Sequence, residues 1–341
     1  MKKSLLALAV LTAISGVASA QSSVTLYGKV DLGLVYDAGG AKGKSIRVSS
    51  GVTGGSRIGF KGVEDLGGGL KASFQLETGY CADSNAGGPN FCTGGNFMGR
   101  QAYGALSGNF GSLSAGRQYS LGFVNLTTID PFGTGFAGQI NNIFDASGIR
   151  LNNSVQYNTP VMSGFNGSVE FAAGEQQGDW SAGRETGAAV TYASGPIYAG
   201  ATFYNVNTRG AQPILTARKT WQAGGTYDFG VVKLHAMVQG TKSSDDLAGA
   251  FDRLNAMGGV TVPLAGGSVM ASYVHSNDKL DADQDANQIG VGFLYPVSKR
   301  TSLYTSFAHI QNLHGAGFTV GNATDTGTGN KSFDLGVVHN F

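Results

Sequence analysis

The sequence predicts an all-β protein, a 16-stranded antiparallel transmembrane β-barrel. Three observations carry that expectation. Apolar and polar residues alternate with a period of two in segment after segment, the mark of strands with one apolar and one polar face. Between these segments short turns alternate with long polar stretches, and both chain ends fall on the short-turn side, which is the plan of an outer-membrane barrel. The pattern also runs to the last residue. In KSFDLGVVHNF, the residues Phe333, Leu335, Val337, His339 and Phe341 hold every second position. A patterned strand at a chain end would be an exposed edge. In a closed barrel it pairs with the first strand and no edge remains.

Composition agrees with strands and turns. The 341 residues include 55 Gly and 7 Pro, with 13% charged, against about 7% Gly and about 25% charge in ordinary soluble domains. A mean hydropathy of −0.03 is too polar for a bundle of membrane helices. Beyond residue 20 no apolar run reaches the ~18 residues of a helical span. The opening MKKSLLALAVLTAISGVASA reads as a signal peptide over residues 1–20: Lys2 and Lys3, an apolar run, then Ala18-Ser19-Ala20. As a membrane anchor the run is too short. The barrel domain is then 21–341. The formal net charge is +1, and without the two leader lysines it is close to −1, so charge points to no nucleic-acid partner.

The first strand, 23–37, places Val24, Leu26, Val30, Leu32, Leu34 and Tyr36 on one face and Thr25, Tyr27, Lys29, Asp31 and Asp37 on the other. The second, 45–63, sets Ile46, Val48, Val52, Ile58 and Phe60 against Arg47, Ser49, Thr53, Arg57 and Lys61. The third, 70–80, sets Leu70, Phe74, Leu76 and Tyr80 against Lys71, Ser73, Gln75 and Glu77. Thirteen more follow: 97–107, 112–119, 149–159, 165–174, 185–193, 197–206, 220–228, 231–240, 252–262, 268–276, 285–295, 300–310 and 331–341. A secreted β-sandwich would alternate too. Its apolar faces need not stay almost free of charge, and its aromatics need not gather at strand ends as Tyr36, Tyr80, Tyr157, Tyr192, Tyr295 and Phe341 do. Lipid requires both.

The long polar stretches include 81–96, 120–148 and 311–330. The first holds the two cysteines, Cys81 and Cys92. An exported chain with a close pair in a Gly/Asn-rich segment is expected to close a disulfide there. No His stands near enough to complete a zinc site. The stretch 120–148 is the longest irregular one, and loops of that length are usually functional.

Several segments resemble the general porins of Gram-negative bacteria, of the β-proteobacterial type: SSVTLYGKVDLGLVYD, SRIGFKGVEDLGGGLKASFQLETGY, GRQAYGALSGNFGSLSAGRQ, NNSVQYNTP and the terminal Phe341. The resemblance covers essentially the whole chain after the leader. It implies a homotrimer in the outer membrane, surrounded by lipid and lipopolysaccharide, that passes small hydrophilic solutes and ions. It implies that the third long loop, about 120–148, folds inward and narrows the pore. Within it TIDPFGTGF resembles the constriction tip, with Asp130, Pro131, Phe132 and Gly133, and with Asp145 as the second loop acid. The last strand, ending in Phe341, resembles the signal read by the outer-membrane assembly machinery. Small residues at Gly28 and Gly62 would let trimer neighbours approach closely.

Opposite an acidic loop a basic wall is expected. Strand phase directs Lys29, Arg57, Lys61 and Lys71 into the lumen, with Arg150 sharing phase with Asn152, Ser154 and Gln156. Arg100 joins them provided Tyr103 faces lipid, while the phase of Arg117 points outward. Arg57, Arg100 and Arg150 match positions where the resembled family places pore-lining basic residues. Rings of basic side chains favour anions. Acids of the outer loops, such as Asp245, Asp246, Asp278, Asp281, Asp283 and Asp285, would oppose that. No cofactor or metal is expected. An enzyme is the rival from another class, but no His lies beside a recognisable nucleophile. A solute-specific channel would favour an aromatic track along the lumen.

Overall fold

The computed structural model describes residues 23–41, 43–83, 97–145, 148–209, 215–243 and 251–341. The leader therefore lies outside the described residues. The strands run β1 Ser23–Gly40, β2 Gly43–Ser50, β3 Arg57–Gly67, β4 Leu70–Gly79, β5 Gln101–Gly108 and β6 Gly111–Tyr119. Helix α1, Leu121–Ile129, follows. Then come β7 Arg150–Asn158, β8 Phe165–Ala172, β9 Glu185–Ser194, β10 Ile197–Arg209, β11 Leu215–Asp228 and β12 Lys233–Ser243. The last are β13 Asp252–Leu264, β14 Gly267–Asp278, β15 Ala286–Pro296, β16 Thr301–Asn312 and β17 Lys331–Asn340.

Apart from β2 and β3, which both pair with β1, each strand pairs antiparallel with its sequence neighbours, and β17 returns to β1 in register from Lys29↔Asn340 to Ala38↔Lys331. Seventeen segments make a closed barrel of sixteen strand positions, because β2 and β3 share one. The outer half of β1 pairs with β2 and the inner half with β3. The burial pattern is that of a soluble protein turned inside out. Along β17, Leu335 is 51% exposed while its neighbour Asp334 is 1% exposed. Apolar side chains face away from the barrel, as a hydrocarbon surrounding requires, and polar ones face into it. Beside the short turns, aromatic rings pair at Phe165–Tyr192, Tyr227–Phe229 and Phe293–Tyr295.

Three expectations need correction. The strand expected over 45–63 breaks at 51–56. There the backbone serves other partners: Thr53 donates its N–H and hydroxyl to the Asp31 carboxylate, each at 2.7 Å, and the Val52 carbonyl accepts from Phe136 N–H at 2.8 Å. Period-two alternation continues through the break, so composition could not reveal it. The segment expected to be irregular opens with α1. Ser120 caps that helix, its hydroxyl accepting from Phe123 N–H, while the Glu170 carboxylate accepts from Leu121 N–H. Finally, Gly28 and Gly62 are not open to a neighbour. A Cβ at Gly28 would meet the Phe341 ring at 2.2 Å, and one at Gly62 the Phe74 ring at 2.4 Å. The chain's own aromatics cover both positions.

Residues 120–145 pack against the polar faces of β10 to β17. Gln239 clasps the Asp145 backbone, accepting from its N–H and donating to its carbonyl. Gln288 donates to the carbonyls of Gly138 and Gln139, and the Asp334 carboxylate accepts from Ala137 N–H. Beneath these bonds Leu126, Ile129, Ile140 and Phe144 form a small apolar core with Met237, Met257, Val274 and Ile310.

Candidate functional site

A cavity of about 1330 Å³ is bounded by the walls of β1, β3 and β5 to β7, by α1 and the loop after it, and by residues 319–326. Its charged lining is lopsided. Lys29, Arg57, Arg100, Arg117 and Arg150 are basic, and among the described lining residues Asp325 alone is acidic. Asp325 is itself engaged by Arg47 and by the Ser49 hydroxyl.

The basic groups are placed by strand register and by one buried acid. Lys29 on β1 stands directly across from Arg57 on β3, and like charges so placed repel. The counter-charge is Glu77 on β4, 2% exposed. Its carboxylate accepts from Arg100 Nε at 2.7 Å, lies 3.9 Å from Arg57 Nη1, and accepts from the Tyr27 hydroxyl at 3.0 Å. Gly54 and Gly55 leave room beside this group: a Cβ would come within 3.3 Å of Lys29 Nζ at the first and 2.7 Å of Arg100 Nη1 at the second.

Arg100 arrives by a route that strand phase did not describe. Tyr103 does not face lipid. It sits opposite Gln75 in the ladder and donates its hydroxyl to it at 3.1 Å. Arg100 lies in the bend before β5, so it escapes the strand's alternation and reaches Glu77 and Tyr119. Arg150 opens β7, with its guanidinium 4.6 Å from the centre of the Tyr119 ring and donating to the Tyr119 oxygen at 3.0 Å. Arg117 borders the cavity despite its phase, next to a register shift in the β6–β7 ladder. It donates to the Gly99 carbonyl and to Asn152. Lys61 and Lys71 keep the polar phase but stand outside the cavity, both exposed, with Lys61 5.5 Å from the centre of the Tyr27 ring.

The two loop acids do not face this wall. Asp130 is 4% exposed and turned into its own loop, where its carboxylate accepts from the backbone N–H groups of Phe132, Thr134 and Ile140. Burial raises its pKa to about 6, with those three bonds pulling the other way. Asp145 pairs with Arg218 on β11 at 3.1 Å. On the loop side the lining is neutral, from Thr127 and Thr128 to Asn141 and Asn142. Pro131 packs against Gly259. The Phe132 ring fills a slot left by Gly138 and Gly292, where added Cβ atoms would approach it to 2.5 and 3.0 Å. Gly133 adopts a φ of +59°, which turns the tip.

A family model described as Gram-negative porin matches residues 7–315. The chain belongs to the Gram-negative porin family. This porin is 39% identical over 327 residues to Outer membrane porin protein 32 of Delftia acidovorans, covering 92% of this chain and 90% of that one. It is 31% identical to the Major outer membrane protein P.IB of Neisseria lactamica, over 97% of this chain and 100% of that protein. Among solved structures, the anion-selective porin from Comamonas acidovorans superposes with a TM-score of 0.80 at 33% identity, covering 94% of this chain and 100% of that chain. The protein is an outer-membrane diffusion channel, and its family is one of channels rather than enzymes.

Strand phase located Lys29, Arg57 and Arg150. It missed Glu77 as a partner, Tyr119, and the contribution of residues 319–326. Glu77 was legible as a polar-face residue, but its two arginines come from separate segments. Cys81 is disulfide-bonded; its expected partner, Cys92, lies outside the described residues.

Proposed function

We propose that this porin passes small hydrophilic solutes and ions with a preference for anions, and that segment 120–145 is the inward-folded loop that narrows its lumen. One observation carries the preference: among the described lining residues five are basic, against a single acid that is already paired. A cationic constriction raises the local concentration of anions, over a range set by the Debye length of about 10 Å at 0.1 M salt. With neutral loop residues beside the basic wall, no acid of the loop cancels it. Asp278, Asp281, Asp283 and Asp285 of the outer loops do not border the cavity, and two are engaged, Asp278 near Arg253 and Asp283 near His314; Asp245 and Asp246 lie outside the described residues. The anion selectivity stated for the Comamonas acidovorans porin supports the same reading.

The test is the zero-current potential of bilayer channels in a KCl gradient. The wild type should favour chloride at low salt, and less so at high salt. Replacing Arg57, Arg100 and Arg150 together by Gln should carry the potential to the potassium side. A wild type that favours potassium at low salt would overturn the proposal.

The molecule is read as a homotrimer joined through the apolar face of its first strands, where Val24 and Ile46 are 67% and 75% exposed. Unheated detergent gels should show a band near three times the 35.0 kDa chain that collapses on boiling. Outer-membrane lipid and lipopolysaccharide would cover the remaining apolar surface. Phe333, Leu335, Val337, His339 and Phe341 are assigned to recognition by the assembly machinery. In the closed barrel both edges of β17 are paired, so its backbone edges are available to a reader before closure. Cys81 and Cys92 are assigned to one disulfide in the second long loop.

A further inference from the structure

We infer that Tyr119 is the positioning residue of the constriction: its phenol oxygen holds Arg100 and Arg150 together as one anion-binding pair and ties that pair to the constriction helix. The inference rests on the anion preference proposed above and adds a residue that neither strand phase nor family resemblance singled out.

Arg100 Nη2 donates to the Tyr119 oxygen at 2.7 Å, and Arg150 Nη2 donates to the same oxygen at 3.0 Å. Two donors within hydrogen-bond reach of one atom stand no more than about 6 Å apart. Like charges so close would separate unless something held them. The acids nearby do not do so equally: Glu77 takes Arg100 through Nε, whereas no acid is paired with Arg150 among the described residues. A phenol oxygen has two lone pairs and one O–H. With both lone pairs occupied by guanidinium donors, the O–H is left for water or a passing anion. Tyr119 borders the cavity, so that donor is on the permeation path.

The ring is held as firmly as the oxygen. Arg150 lies on it at 4.6 Å and Phe123 of α1 stacks with it at 5.1 Å and 24°. Tyr119 closes β6, and the next residue is the helix cap Ser120. The Tyr119 carbonyl accepts from the Gln156 side chain at 2.7 Å. Wall, helix start and two arginines therefore meet at one side chain. An oxyanion offers separate oxygens, so each guanidinium can engage it through its N–H fork, whereas chloride presents one centre that both must share. Tyr119 should matter more for an oxyanion such as sulfate than for chloride.

The decisive variant is Tyr119→Phe, which keeps the ring and removes the acceptor. It is read in full-length channels by the sulfate-to-chloride permeability ratio under bi-ionic conditions, with KCl conductance alongside. We expect the ratio to fall two- to fivefold while conductance changes by less than half. In an Arg150→Gln background the same change should have little further effect, because the pair is already broken. A Tyr119→Phe ratio equal to wild type, or an effect of the same size in the Arg150→Gln background, overturns the inference. Heat-modifiable gel mobility identifies folded barrels. Should Tyr119→Phe fail to fold, Arg150→Lys, which cannot keep the guanidinium geometry, takes its place with the same expected fall, and an unchanged ratio there overturns the inference. A wild type with no anion preference in KCl overturns the proposed function, and this pair with it.

Discussion

Glu77 shows how a single buried carboxylate organises a cationic site. Without it, Arg57 and Arg100 would face each other with Asp31, beside Lys29, the acid left nearby, and the guanidinium groups would move apart. Glu77→Gln keeps the volume and removes the charge. Breaking a charge-assisted bond to a buried partner costs about 1–3 kcal/mol. The lower part of that range is expected here, because Arg100 retains Tyr119 and borders the cavity. The variant should unfold at a lower temperature in detergent. Its anion preference should rise, since one negative charge leaves the cluster. A zero-current potential shifted toward potassium would contradict this placement of charge.

The loop is held by its own backbone and by side-chain amides, and its acid acts within that frame. Asp130 gathers three N–H groups, yet burial pushes its pKa up to about 6, above the ordinary carboxylate value of 3.8. A raised value in the folded state means that folding favours the proton. The associated stability is fully present below about 4 and is lost as the pH rises through about 6. Loop opening, seen as current noise in single channels, should therefore be less frequent at pH 5 than at pH 7.5. Asp130→Asn should remove that pH dependence and, by leaving one N–H without its acceptor, destabilise the loop by ~1–2 kcal/mol. At the start of the same element, Ser120→Ala removes the cap of α1, a loss of ~0.5–2 kcal/mol. It should raise the noise at both pH values alike.

Phe341 extends the seam that closes the barrel. The N–H and carbonyl of Phe341 pair with the carbonyl and N–H of Gly28, at 3.1 and 3.0 Å, and the ring occupies the space above that glycine. Gly28→Ala would drive a methyl into the ring. Phe341→Ala would keep the backbone pair and lose the cover. A buried Phe→Ala change costs ~3–5 kcal/mol, and a ring 43% exposed should lose about half of that. Both variants should lower the temperature at which the heat-modifiable band disappears, and Gly28→Ala should also reduce the folded yield. An unchanged transition in both would mean that closure does not depend on this contact.

Alternation and the turns between determined the strands of this protein apart from the split between β2 and β3, because a chain between lipid and water must present one chemistry on each face, and that requirement is written locally at every second residue. It also set the phase of Lys29, Arg57 and Arg150, since phase is counted along one strand. The break at 51–56, the helix after Ser120, the inward turn of Asp130 and the shared oxygen of Tyr119 were decided by the tertiary structure. Asp130 turns to backbone N–H groups of its own loop, and the other three depend on groups brought together from distant segments: Val52 with Phe136, Leu121 with Glu170, Arg100 with Arg150. A buried polar group goes where a partner is within about 3 Å, and that distance exists only once the barrel has closed around the loop.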